Sequence, residues 1–195
     1  VLYCFGLDEI SESEGMDRSH MRVPGNQIEF LTALAEVNPR IAGILSAGSA
    51  IEMPWHECCK SILHGYLSGQ AGPSAMLRVI TGEVNPSGRL SETYPLRYED
   101  TPAYKYFPGE ERCSQYRESL YVGYRYYDTE KVKVQYPFGF GLSYTTFSYD
   151  NMDILENEVR FTLMNTGKVD GKEVVQLYVR GPKGRIFRPD KELKG

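Results

Sequence analysis

The first half of the chain alternates between short apolar runs and segments whose apolar residues have helical spacing. Runs of this length, bounded by glycine or polar residues, predict buried strands. They occupy Val1–Leu7, Ile41–Ala47, Ser61–Tyr66 and Leu90–Tyr94. Strands that alternate with helices in this way are typical of a largely parallel sheet covered by helices, the α/β class.

Two helices are predicted between these strands. The first places its apolar residues on one face, with Asn26 as its N-cap and Pro39 as its stop. That face comprises Ile28, Leu31, Leu34, Ala35 and Val37. The second begins near Pro73, which suits a first helical turn, and ends at Gly82 as its C-terminal cap.

The second half of the chain follows different patterns. From residue 97 to 144 periodicity fades, and tyrosines cluster at Tyr121, Tyr124, Tyr126 and Tyr127. Aromatic residues at this density need surfaces to pack on, which favours an ordered segment, with contact to a ligand as the alternative. Beyond Thr145 the period becomes two, as in Val159, Phe161 and Leu163 and again in Val175, Leu177 and Val179. This predicts an antiparallel sheet and the start of a β-sandwich.

These patterns predict an α/β sandwich domain over residues 1–118, an ordered connection over 119–144 and a partial β domain over 145–195. The chain opens in mid-strand without Met and ends inside a β pattern, so we expect it to be a piece of a longer protein.

Composition narrows the functional classes. Lys and Arg total 22 against 26 Asp and Glu, a net charge of −4, which disfavours a nucleic-acid or anionic-membrane partner. The cysteines, Cys4, Cys58, Cys59 and Cys113, form no C-x-x-C pair, so neither a metal site nor a disulfide framework is indicated. Reduced thiols favour a cytoplasmic over a secreted protein. The histidines have no metal spacing, and no glycine-rich phosphate loop indicates a nucleotide.

The candidate chemistry lies in the acidic loop after the first strand. Glu14 follows that strand, and α/β proteins bind ligands where the carboxyl ends of strands meet. The residues alone leave a second interpretation open, in which Asp8, Glu9, Glu12 and Glu14 form a solvated acidic surface.

Several segments, in order, resemble glycoside hydrolase family 3, the family of many β-glucosidases. They are Glu12-Ser13-Glu14-Gly15 with Asp17-Arg18, Val23-Pro24-Gly25-Asn26-Gln27, Ser46-Ala47-Gly48-Ser49, Met53-Pro54-Trp55, Asn85-Pro86-Ser87-Gly88-Arg89-Leu90, Phe107-Pro108-Gly109-Glu110, Tyr121-Val122-Gly123-Tyr124-Arg125-Tyr126-Tyr127-Asp128 and Pro137-Phe138-Gly139-Phe140-Gly141-Leu142-Ser143-Tyr144.

The resemblance implies a three-layer α/β sandwich domain followed by a fibronectin type III-like domain, here truncated. It also implies a TIM-type barrel that carries the catalytic nucleophile. Such a barrel needs about 250 residues by itself, so we expect it to lie outside these 195 residues. Glu14 matches the family's general acid/base. In that role Glu12 and Asp17 would raise the pKa of Glu14, and Arg18 would oppose them. The chain alone is then expected to be inactive.

The resemblance leaves further roles and specificities open. Asp17 and Arg18 are expected either to contact sugar or to form an internal salt bridge, and Trp55 either to stack on sugar or to lie in the core. The expected partners are a β-glucoside or oligosaccharide substrate and the barrel of the same enzyme. No cofactor is expected, and a homo-oligomer is left open as a further possibility. The rival functions are β-xylosidase or another specificity of the family, and a non-catalytic carbohydrate-binding or docking module.

Overall fold

Three parallel strands form the sheet predicted for the first half of the chain. A computed structural model describes residues 1–110, 112–182 and 184–195. In it β1 (Leu2–Gly6), β2 (Ala42–Ser46) and β3 (Ser61–His64) lie side by side in that order. Phe5 pairs with Leu45, and Leu45 with His64, so all three strands end at one edge. The predicted α/β class with a mostly parallel sheet is confirmed.

The first helix, α1 (Gly25–Val37), packs on this sheet through Leu31, which has no exposed surface. Ile28, Leu34 and Ala35 lie against the same core. Val37 is 80% exposed, so its predicted place on the buried face is wrong, because the last turn of the helix extends beyond the core. The predicted N-cap is also wrong. Pro24 precedes the first helical residue, and the Asn26 side chain instead accepts the Gln27 N–H at 3.0 Å.

The carboxyl end of β1 is fixed by close contacts on both sides. Any β-carbon at Gly6 would overlap the Ser46 carbonyl of β2, so only glycine fits this approach. The Gln27 side chain of α1 accepts the Gly6 N–H at 2.9 Å. The next residue, Leu7, donates its N–H to the Ser46 carbonyl at 2.9 Å. The chain therefore leaves β1 at a defined position.

The second helix, α2 (Gly72–Ile80), has the predicted ends. Pro73 lies in its first turn, where a missing N–H costs nothing. Gly82 follows the C-cap with φ +77°, the left-handed conformation that glycine adopts most easily.

The fourth predicted strand is shorter than expected and lies outside the parallel sheet. β4 (Tyr94–Pro95) pairs antiparallel with β5 (Val134–Tyr136), which follows helix α3 (Tyr124–Glu130). Leu90 exchanges backbone hydrogen bonds of 2.8 Å with Phe140 and Gly139, and these bonds take the place of a strand ladder.

The region beyond Thr145 is antiparallel, as predicted. β6 (Phe147–Ile154) and β7 (Val159–Asn165) form a two-stranded sheet, and β8 (Tyr178–Val179) pairs with β9 (Glu192–Leu193). Val175 and Leu177, which the period of two assigns to a strand, precede β8.

A polar junction joins the α/β region to these strands. Arg89 Nη2 lies 2.6 Å from Glu173 Oε2, and the two side chains are only 11% and 13% exposed. The Tyr149 hydroxyl donates to the other Glu173 oxygen at 3.1 Å. The Asn85 amide donates to the Asp170 carbonyl at 3.0 Å and accepts the Tyr144 N–H at 2.8 Å. These side chains hold residues 85–89 against two later segments of the chain.

Candidate active site

The acidic loop begins as a tight turn at the carboxyl edge of the sheet. One Asp8 carboxylate oxygen accepts the Ser11 N–H at 2.8 Å, and the Asp8 carbonyl accepts the Glu12 N–H at 3.0 Å. The hydrogen bonds from Ser11 lower the pKa of Asp8. Asp8 therefore shapes the start of the loop.

Glu12 connects this loop to the loop that follows β2. Its Oε1 atom accepts the Gly48 N–H at 3.0 Å, across 36 positions of sequence. The side chain is half-buried, in contrast to the exposed Glu9 and Glu14. From the sequence, Glu12 is expected only to be a charged neighbour of Glu14. The bond to Gly48 joins two loops, and loops have no periodicity from which it could be predicted.

Arg18 holds the other end of the loop. Its Nη2 atom donates to the Ser49 hydroxyl at 2.5 Å, and among the described residues its buried Nη1 atom has no partner. Its charge also acts on Glu92. Burial raises the pKa of Glu92, and a backbone hydrogen bond with Ala50 and the charge of Arg18 oppose that effect. The ion pairs between described residues include none from Arg18 to Asp17, the internal salt bridge that was one alternative.

Glu14 lies between these two attachment points and is exposed. The side-chain hydrogen bonds of the described residues include none to its carboxylate, and Gly15 follows with φ +79°. Asp17 is exposed as well. A carboxylate that has no hydrogen-bond partner within the described ranges, on a loop fixed on both sides, is available to a ligand or to another domain.

Trp55 lies in the hydrophobic core. It is 5% exposed and packs edge-on against Phe5, with ring centroids 4.8 Å apart. Little of the ring is accessible to stack on a sugar. Of the three residues considered as sugar contacts, Asp17 is exposed, Arg18 is half-buried and bound to Ser49, and Trp55 is buried.

The tyrosine cluster joins α3 to the last strands. The Tyr124 ring stacks on Phe138 at 5.0 Å and meets Tyr178 edge-on at 5.6 Å, and its hydroxyl accepts the Leu193 N–H at 2.7 Å. Tyr127 is buried, and burial raises its pKa. These contacts support packing as the role of the cluster.

At the same sheet edge, the half-buried His64 forms a polar pair with the buried Tyr94. The His64 Nδ1 atom lies 3.3 Å from the Leu45 carbonyl, and its Nε2 atom lies 2.5 Å from the Tyr94 hydroxyl. Since a carbonyl only accepts, Nδ1 carries the proton and Nε2 accepts from Tyr94. Burial lowers the pKa of His64, and the bond to Leu45 opposes that effect. Burial also raises the pKa of Tyr94. Near neutral pH both side chains are therefore uncharged.

We expect this pair to make stability depend on pH. The folded-state pKa of His64 lies below its unfolded value of 6.5, so its contribution is complete above pH 6.5 and is lost as pH falls towards the folded-state pKa. Calorimetry of the full-length protein should show that the melting temperatures of wild type and His64→Gln converge from pH 8 to pH 5. His20→Gln, which removes an exposed imidazole, is the control. A constant difference between wild type and His64→Gln would contradict the prediction.

The described residues contain no cluster of three or more potential metal ligands. None of the helices in the described ranges is long and apolar enough to cross a membrane. All four cysteines are free, and Cys4 and Cys113 are exposed.

Comparison with known proteins identifies the family to which this chain is similar. Residues 1–144 match the family described as Glycosyl hydrolase family 3 C-terminal domain. The thermostable beta-glucosidase B of Acetivibrio thermocellus is 48% identical over 97% of this chain. The exo-alpha-(1->6)-L-arabinopyranosidase of Bifidobacterium breve is 43% identical over the whole chain. The chain spans only about a quarter of these relatives, 26% and 27% of their respective lengths.

Solved structures give the same result. The GH3 beta-glucosidase of Bifidobacterium adolescentis superposes on the whole chain with a TM-score of 0.96 and 45% identity, and the match covers 30% of that protein. The beta-glucosidase of Kluyveromyces marxianus, solved in complex with glucose, matches the whole chain with a TM-score of 0.92 and 36% identity, over 24% of its own chain. From its match to the family over residues 1–144 and from these relatives, the chain belongs to glycosyl hydrolase family 3.

Proposed function

We propose that this chain supplies the general acid/base, Glu14, to the active site of a retaining β-glycosidase. The enzyme is most simply a β-glucosidase that hydrolyses terminal β-D-glucosyl residues, and its nucleophile lies on a barrel domain of the same protein. The observation that carries the proposal is the exposed Glu14 carboxylate, on a loop attached to the sheet edge by Glu12 and Arg18. Family membership supports it.

In a retaining mechanism two carboxyl groups lie about 5–5.5 Å apart on either side of the glycosidic bond. One attacks the anomeric carbon while Glu14 protonates the departing oxygen. Glu14 then takes a proton from the water that releases the sugar. The exposure of Glu14 in this chain suits a group that meets its substrate at a surface shared with another domain.

The first step requires a protonated Glu14 near neutral pH. Burial raises the pKa of a carboxyl group because it disfavours the charged form, and a second carboxylate nearby has the same effect. Docking of the barrel and binding of substrate would supply both effects. Activity would therefore depend on how the two domains fit together, and the 195-residue chain by itself would be inert.

The sugar that is bound is set elsewhere in the enzyme. Relatives with similar identity to this chain, 48% and 43%, carry the names of a beta-glucosidase and an L-arabinopyranosidase. This spread keeps other specificities of the family, β-xylosidase among them, as the alternative. A panel of aryl glycosides on the full-length enzyme discriminates between them.

Chemical rescue tests the role of Glu14. In the full-length enzyme carrying Glu14→Ala, an activated aryl β-glucoside should form the glycosyl-enzyme, which then hydrolyses slowly because no base activates water. Azide needs no base, so it should raise turnover about tenfold or more and yield β-glucosyl azide of retained configuration.

Glu9→Ala is the matched control, since it removes an exposed carboxylate from the same loop and should behave as wild type. Wild-type behaviour of Glu14→Ala, with no glucosyl azide, would instead favour the interpretation as a non-catalytic docking or binding module.

A further inference from the structure

The two side chains that flank Glu14 contact consecutive residues of another loop. Glu12 accepts the Gly48 N–H at 3.0 Å, and Arg18 donates to the Ser49 hydroxyl at 2.5 Å. Gly48 and Ser49 follow β2, the central strand of the sheet. Both attachments of the acidic loop thus lie just beyond the central strand of the sheet.

The Glu12 carboxylate fits closely over Gly48. A β-carbon on Gly48 would lie 2.6 Å from Glu12 Oε2 and 2.9 Å from Leu67 Cδ1. The space beside Gly48 is thus already filled by the Glu12 carboxylate and the Leu67 side chain. Gly48 has no positive φ, so a side chain at this position would disturb these two packed side chains and not the backbone conformation.

We propose that Glu12 is a positioning residue for Glu14. It acts through its hydrogen bond to the Gly48 N–H, which together with the bond between Arg18 and Ser49 fixes the loop on both sides of the acid. The inference rests on the proposed function, since it concerns the placement of the general acid.

The physical reason is that the loop offers Glu14 itself no fixed partner. Gly15, directly after it, is in a left-handed conformation at φ +79°, a flexible residue type. The place of the Glu14 carboxylate therefore depends on the two attachments. A misplacement of about 1 Å of a catalytic group can cost about 100-fold in rate.

The negative charge of Glu12, two residues from Glu14, is the rival way in which this side chain would affect the acid. Substitution separates the two effects. Glutamine keeps an oxygen that accepts the Gly48 N–H but carries no charge, whereas alanine loses both. A positioning role predicts that glutamine preserves activity, and a charge role predicts that it does not.

The test uses the full-length enzyme with cellobiose, whose poor leaving group needs the acid, and 2,4-dinitrophenyl β-glucoside, whose leaving group does not. For Glu12→Ala we expect kcat/KM on cellobiose to fall about 30-fold and that on the activated glucoside less than about 3-fold. Glu12→Gln should stay within about 3-fold of wild type on both substrates, with an unchanged pH profile.

Gly48→Ala provides a second variant that leaves Glu12 itself intact. Its new β-carbon displaces the Glu12 carboxylate, so it should show the same selective loss on cellobiose. The double variant Glu12→Ala/Gly48→Ala should lose no more activity on cellobiose than either single variant, because all three variants lose the same contact between Glu12 and Gly48. Ser49→Ala, which removes only the acceptor for Arg18, serves if the first two fold poorly.

Equal losses on both substrates for Glu12→Ala would overturn the proposal, as would a Glu12→Gln variant as impaired as Glu12→Ala with a shifted pH profile. Glu14→Ala is measured in parallel. If Glu14→Ala is selective for cellobiose and Glu12→Ala is not, the positioning role fails alone. If Glu14→Ala is itself without effect, the proposed function fails.

Discussion

Replacing Glu14 with alanine in the full-length enzyme should lower kcat/KM for cellobiose about 1,000-fold, because general acid catalysis contributes about 10²–10⁴-fold. Without protonation of its oxygen the departing glucose is a poor leaving group, so the glycosidic bond breaks slowly. Pre-steady-state release of dinitrophenol from the activated β-glucoside should stay near the wild-type rate, because this leaving group departs as a stable anion. Stopped-flow absorbance and a coupled glucose assay measure the two rates.

The contrast between the substrates carries the information. A loss of similar size on both would indicate a damaged fold or domain interface, and no loss on either would leave Glu14 as a surface residue. Asp17→Ala provides a matched comparison, since Asp17 is an exposed carboxylate three positions away on the same loop. We expect a smaller loss for that variant, similar on both substrates.

Replacing Arg89 with alanine should lower the free energy of opening of the junction by about 3 kcal/mol, because Glu173 then stays buried without a counter-charge. The pair is 2.6 Å apart with side chains 11% and 13% exposed, so the Glu173 carboxylate is largely shielded from solvent. Hydrogen exchange of the Leu90 and Gly139 amides, which are bonded across this junction, should accelerate roughly 100-fold.

A surface ion pair serves as the control. Arg78 and Glu83 are 2.8 Å apart with side chains 54% and 59% exposed, and Arg78→Ala should cost at most about 1 kcal/mol. Combining Arg89→Ala with Glu173→Gln should restore part of the loss, since no unpaired charge is then buried. Equal effects of Arg89→Ala and Arg78→Ala, or no recovery in the double variant, would contradict this account.

The parallel sheet and α1 could be predicted from the sequence because each buries a local apolar pattern, whereas α2 could be predicted from Pro73 and Gly82 at its ends. β2 and α1 have short-range periodicity that survives in the fold. The strand expected at Leu90–Tyr94 had the right composition, but Leu90 bonds to Gly139 and Phe140, and only Tyr94 and Pro95 join a ladder. Pairing with a segment so far along the chain leaves no local signal.

The same reason limits prediction of the site. Glu14 could be proposed as the acid because its neighbours match a family pattern. The bond from Glu12 to Gly48 and the pair of Arg89 with Glu173 join residues 36 and 84 positions apart, and each depends on where a loop ends in space. The carboxylates Glu9, Glu12 and Glu14 look alike in sequence, and only burial and partners distinguish the one that holds the loop.

The junction at Asn85 and Arg89 has a consequence for recombination between related enzymes. The long-range partners of these two side chains, Ser143, Tyr144, Asp170 and Glu173, lie more than fifty positions later in the chain. A chimera with its crossover between residues 90 and 142 would take Asn85 and Arg89 from one parent and these later partners from the other. Libraries built from two parents should therefore inherit residues 85–173 as a single block, with crossovers placed outside it.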